Sequence, residues 1–212
     1  MEMGRNEFNY VLAAVLIFTI IISVEEIFLG QFEGIVWAFV FACIIILVSV
    51  FAKKLMAYML DANVEHDIWR VHRYGFKAHD HFKREIPAGV ILPLFFSVFS
   101  LGFLKFSALL TYETRALKRR AAKRFGNYSF TEMTEWDNAI IGAAGIVAVL
   151  IVSAVAYIVG VTELTKLAIY YALSNMIPVS KLDGTQIFFW SRILYGVLGV
   201  IVLIFTAYAL MI

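Results

Sequence analysis

The sequence predicts an all-α, polytopic membrane protein, a bundle of about five to six membrane segments of which one is re-entrant. Three observations predict this class. The 212 residues are 62% hydrophobic and only 16% charged, a balance outside the range of ordinary soluble domains. Apolar runs recur at 9–24, 35–52, 88–110, 139–160 and 187–212, with a shorter one at 164–177. A helix of roughly 20 predominantly apolar residues spans a bilayer, so most of these runs reach or approach the required length. Finally, charge is segregated: the loop between the first two runs holds Glu25, Glu26 and Glu33 with no Lys or Arg, while basic residues gather at Lys53, Lys54, 70–84 and 115–124.

Taken in order, the first two runs form a two-helix hairpin, 1–54, ahead of a core at 55–212 within one membrane domain. The first run reads as a retained anchor, because two glutamates follow it and no small-residue cleavage pattern does. Lys and Arg mark the cytoplasmic side, which places the N-terminus and the basic loops in the cytoplasm of a cell-membrane protein and the acidic loop outside. The single cysteine, Cys43, lies in an apolar run, which excludes an intramolecular disulfide and a sulfur-ligated cluster. Residues 55–75 read as helix, since no Pro or Gly occurs before Gly75, yet they carry Asp61, Glu65, His66, Asp67, Arg70, His72 and Arg73. Such a helix either leaves the bilayer or faces water and protein inside the bundle.

The run at 88–110 contains Gly89, Pro93, Gly102 and Lys105 and is flanked by basic residues on both sides. A single crossing puts one flank on the wrong side, so a broken, re-entrant segment is expected. The basic stretch 115–124 has no interleaved aromatics and reads as a helix facing lipid headgroups, not a nucleic-acid site. "NYS" at 127–129 matches a glycosylation acceptor but has cytoplasmic surroundings. "HDH" at 79–81 reads as a surface loop, and Gly142 and Gly145 as points of close helix approach.

The chemistry concentrates in "NMIPVSKLDG", residues 175–184. Pro178 breaks the preceding helix, and Gly184 lets the chain bend directly after Asp183. An acid held at a helix break in a low-dielectric bundle is costly unless paired, protonated or bound to a cation. One reading pairs Asp183 with Lys181 or Arg192; the other gives it a functional cation.

This stretch resembles the Asn-x-x-Pro…Leu-Asp-Gly motif of the site-2 proteases, the intramembrane zinc metallopeptidases. "HRYGFK" at 72–77, "IPAGVILPLFFSVFSLGF" and "GAAGIVAVL" at 142–150 are similar to further stretches of that family, in the same order from about residue 55 onward. The resemblance implies a site-2-protease-like core, Asp183 as a zinc ligand and Asn175 beside the reacting carbonyl. The chain departs from the family in lacking HExxH, whose two histidines bind zinc and whose Glu is the general base. Aligning the Arg-Tyr-Gly stretch puts "NVEHD", 63–67, at that position; shifting by three gives "HDIWR", 66–70. In helical geometry Asn63, His66, Asp67 and Arg70 share a stripe, with Glu65 on nearly the opposite side. His66 and Asp67 with Asp183 then form a candidate set for zinc or another divalent ion, and Glu65 a candidate base. The competing reading of the same stripe is an Asp67–Arg70 ion pair with His66 as a hydrogen-bonding neighbour.

Three function classes follow. The first is an intramembrane metallopeptidase cleaving transmembrane segments of substrate proteins. The second is a catalytically inactive pseudoprotease that binds transmembrane helices or membrane partners. The third, an ion or proton carrier, rests on the buried acids alone and lacks repeat symmetry. Membrane lipids are expected partners in each.

Overall fold

A computed structural model describes residues 4–30, 32–73, 81–117 and 133–212. Most of the Arg-Tyr-Gly stretch, His79 and Asp80, the basic residues beyond 117 and the 127–129 triplet lie outside the described residues. The chain is mostly helical, and four helices are long and apolar enough to cross a membrane. These are α1 (Arg5–Leu29), α2 (Ile35–Met59), α4 (Glu135–Val159) and α7 (Arg192–Ala209). Helices α1, α2 and α4 have 25 residues each, about 37 Å at 1.5 Å per residue, which exceeds the roughly 30 Å hydrocarbon core. Two stop signals are clear. Gly30 (φ 69°) and Gly160 (φ 85°) take the left-handed conformation and return their N–H groups to carbonyls of the last turn. The start of α4 is fixed by a capping box between Thr134 and Asp137.

Phe18 of α1, Ile45 and Ile46 of α2, Val149 of α4 and Leu167 of α5 (Thr162–Met176) are all buried in one apolar cluster. α2 runs unbroken through residue 54, so the expected hairpin and the remainder of the chain share a helix. α7 lies at the margin and leaves most of its apolar face exposed.

Residues 55–75 do not form the expected helix. α2 ends at Met59, Asp61 turns the chain in a left-handed conformation (φ 54°), and Ala62–Ile68 form strand β1. β1 pairs antiparallel with β4 (Leu110–Ala116), placing His66 opposite Tyr112. β2 (Val71–Arg73) and β3 (His81–Ile86) make a second two-stranded sheet, so the fold is not all-α. The cause is in the sequence: Ala62, Val64 and His66 alternate with Asn63, Glu65 and Asp67, and the first set is buried while the second is not. A period of two suits a half-buried strand. The helical stripe through 63, 66 and 67 therefore does not exist, and His66 and Asp67 face opposite sides.

The run at 88–110 goes out and comes back. α3 (Ala88–Phe99) has 12 residues, about 18 Å, too short to span a bilayer. The chain reverses at Leu101 (φ 55°) and Gly102 (φ 87°) and returns without helix. Both ends are tied to one residue: Gly89 donates to the Trp69 carbonyl (2.8 Å), and the Trp69 N–H donates to Leu109 (2.9 Å).

Candidate functional site

α5 ends where Pro178 requires it. Ile177 is extended, as a residue before proline prefers, and Ser180 (φ 55°) turns the chain into α6 (Asp183–Trp190). The left-handed turn thus falls on Ser180, and Gly184 has a different role from the expected bend. A side chain on Gly184 would overlap the Met176 backbone, so this glycine lets the start of α6 pack directly on the end of α5. That contact fixes Asp183 inside the bundle, where it is 1% exposed.

The cation facing Asp183 is Lys53 of α2. Its Nζ lies 2.6 Å from one carboxylate oxygen and 2.8 Å from the other, and Lys53 is itself only 2% exposed. Three features hold the ammonium there. Its charge lies 4.9 Å from the centroid of the Tyr112 ring, within cation–π range. Its aliphatic stem crosses α4 at Gly145, where any β-carbon would overlap Lys53 Cε. The Tyr112 hydroxyl donates to the Asn138 carbonyl (2.6 Å) and packs on Gly142, again where a β-carbon has no room. Gly142 and Gly145 therefore do serve close approach, by admitting a phenol and a lysine stem. Burial and the Asp183 charge hold the Tyr112 phenol protonated, well above its ordinary range.

A second buried network adjoins the first. Glu7 of α1 accepts from Lys54 Nζ (2.8 Å), from His66 Nδ1 (2.9 Å) and from the His66 backbone N–H (3.2 Å). Lys53 and Lys54, consecutive on α2 and so about 100° apart around it, thus point to different acids. Burial, reinforced by the charges of Lys53 and Lys54 and opposed by the Glu7 hydrogen bond, lowers the His66 pKa to about 4 from 6.5. The imidazole is neutral in the folded protein at pH 7. Between those two values the unfolded chain binds the extra proton, so folding stability declines as pH falls from about 6.5 toward 4. Thermal unfolding across this window is expected to show that decline, and His66→Gln to flatten it.

The other expected site residues lie apart from Asp183. Asp67 accepts from its neighbour's N–H at Ile68 (2.7 Å) and from Arg70 (3.3 Å), with Asp67 and Arg70 both partly exposed. The Asp67–Arg70 reading of this segment fits, while His66 turns to Glu7. Glu65 meets Arg115 across the β1–β4 ladder (3.3 Å) at the surface. Lys181, offered as a partner for Asp183, instead meets Glu113 (3.0 Å). Asn175 is buried on the last turn of α5, but its amide nitrogen donates to the Tyr171 carbonyl one turn back (2.9 Å). Its Oδ1 has no protein partner.

The donor set does not fit a metal ion. Both oxygens of Asp183 face an ammonium, Nδ1 of His66 is committed to Glu7, and Asp67 lies on the other face of its strand. Among the described residues, no three His, Cys, Asp or Glu side chains stand together as a metal site. A divalent cation beside Asp183 would also have to displace the Lys53 charge.

Lys53, Lys54 and Glu7 are the residues that sequence reasoning missed. In the sequence Lys53 directly follows the apolar run 35–52 and looks like a flanking anchor; the structure carries α2 six residues further, to Met59, and so places Lys53 inside the helix. Comparison with family models, with curated proteins and with solved structures gives no match to this chain.

Proposed function

We propose that this protein is a non-catalytic, membrane-embedded scaffold of site-2-protease type, in which a lysine ammonium replaces the metal and whose role is to bind transmembrane helices or membrane partners. The single observation that carries the reading is the buried Lys53–Asp183 pair. In the family that the 175–184 motif resembles, the Leu-Asp-Gly aspartate meets a metal held by HExxH on a membrane helix. Here the membrane helix that meets Asp183 is α2, and Lys53, Lys54 and Ala57 stand at the first, second and fifth positions of the corresponding five residues. Two ligands and the base are thus absent at once, and the first replacement supplies the missing positive charge itself. On this reading the out-and-back segment 88–109 is the re-entrant element, and the β1–β4 ladder lies on the cytoplasmic side with the N-terminus.

The peptidase reading needs a polarised water on a metal and a free donor for the oxyanion. The Asn175 amide nitrogen is turned to its own helix, which weighs against the second requirement. Metal analysis of the purified protein tests the choice. The expected result is less than one-tenth equivalent of zinc or other divalent ion after incubation with equimolar metal, and no cleavage of membrane-spanning peptides. Binding of a defined membrane partner should survive Asn175→Ala. Stoichiometric metal that is lost in Asp183→Ala, with cleavage lost in parallel, would establish the peptidase instead.

A further inference from the structure

An apolar cavity of about 610 Å³ opens between the out-and-back segment and helices α5 and α7, walled by Trp69, Phe96, Phe106, Leu173 and Leu182. Its two aliphatic hydroxyls are already engaged: Ser174 donates to the Tyr170 carbonyl (2.7 Å) and Thr206 to Val202 (2.8 Å). The walls are otherwise almost wholly apolar, so the trough suits an apolar guest better than water. The volume is about four times the ~150 Å³ that accommodates benzene, room for roughly two dozen carbons. A helix 10–12 Å across would fit it for only about one turn.

One charged residue, Lys105, lines the cavity. Lys105 also lines a second cavity, of about 640 Å³, whose wall includes Glu25, Glu26 and Glu163, with Glu26 Oε2 buried and without a protein partner. Among the described residues Lys105, Glu25 and Glu163 form no ion pair. Apolar trough, cation and acids follow one another in that order. We propose that the two cavities together bind one bilayer phospholipid with a zwitterionic amine headgroup, its acyl chain in the trough, its phosphate at Lys105 and its ammonium toward Glu25, Glu26 and Glu163. The order of charges selects this occupant. A fatty acid leaves the acids without a partner, an anionic lipid is repelled by them, and an apolar transmembrane helix uses neither charge.

Trp69 reports on the trough, because it lines the cavity and is only 2% exposed, out of reach of bulk lipid. In a variant with Trp37→Phe, Trp136→Phe and Trp190→Phe, nanodiscs of phosphatidylethanolamine with brominated acyl chains are expected to quench Trp69 at least twofold relative to unbrominated lipid. Leu173→Phe, which narrows the trough, should reduce the quenching. Native mass spectrometry should find phosphatidylethanolamine retained at least threefold over phosphatidylglycerol. Lys105→Gln should lower retention of both, and Glu25→Gln, Glu26→Gln and Glu163→Gln together should bring the ratio to one. These charge variants lie at partly or fully exposed positions, so the test stands even if the cavity-filling variant does not fold. Unquenched Trp69, equal retention of the two lipids, or a transmembrane peptide or second copy cross-linked in the trough would each overturn the proposal. The Lys53–Asp183 reading is unaffected by that failure, since metal analysis does not involve this cavity.

Discussion

Lys53→Ala lowers folding stability by about 3–5 kcal/mol, and Asp183→Ala by a similar amount, because each leaves one buried charge without its partner. The two replacements made together cost less than the sum of the single ones, with a coupling of up to about 3 kcal/mol. Lys53→Met with Asp183→Leu is expected close to wild-type stability, since replacing a buried ion pair by packed apolar groups of similar size is often neutral or better. Unfolding in a mild denaturing detergent, measured for the four members of each cycle, tests this. Additive single costs, or a Lys53→Ala protein as stable as wild type, would show that the ammonium is not the compensating charge. The result also bears on function. If Asp183→Ala were as stable as wild type and the purified protein held stoichiometric metal, Asp183 would have some other role than partner to Lys53.

The second large effect belongs to Gly184→Val. The first atom of any side chain at this position overlaps the backbone of Met176, and a helix backbone cannot yield as a flexible side chain can. The cost is expected at or above the upper end of the ~1–3 kcal/mol usual for overpacking. α6 must also move away from α5, carrying Asp183 with it. Gly196→Ala on α7 is the control: nothing lies within 4 Å of its added carbon, so it should be neutral or slightly stabilising. If the two variants have equal stability, close packing of α6 on α5 does not fix the position of Asp183.

The membrane helices were legible because an apolar run of bilayer length has few alternative fates. The runs at 35–52 and 139–160 fall within α2 and against α4 with small offsets, and the break at Pro178 lies where proline chemistry puts it. The strand at 62–68 is harder to see, although its alternation is present, because a stretch without Pro or Gly is compatible with helix. Absence of breakers permits a strand equally well, and Asn63, Glu65 and Asp67 alternating with Ala62, Val64, His66 and Ile68 is the more specific signal. The cation at Asp183 was not legible for a different reason. Lys53 and Lys54 look like an ordinary basic flank, and only packing shows that one stem passes Gly145 while the other turns to α1. Glu7 escaped notice similarly, as one acid in a first helical turn. Which acid faces which base, when they lie far apart in the chain, is a tertiary property that local pattern does not carry.

The Lys53–Asp183 contact joins residues 130 positions apart. At about 5–20 residues per second, a ribosome makes Asp183 some 7–25 seconds after Lys53. Throughout that interval the nascent second helix carries a bare ammonium on its apolar stretch, which disfavours full seating in the bilayer and draws the lysine tip toward the headgroups. Its final depth therefore awaits synthesis of the last third of the polypeptide, and shortened chains lacking α6 should hold this helix displaced and be recognised by quality-control proteolysis.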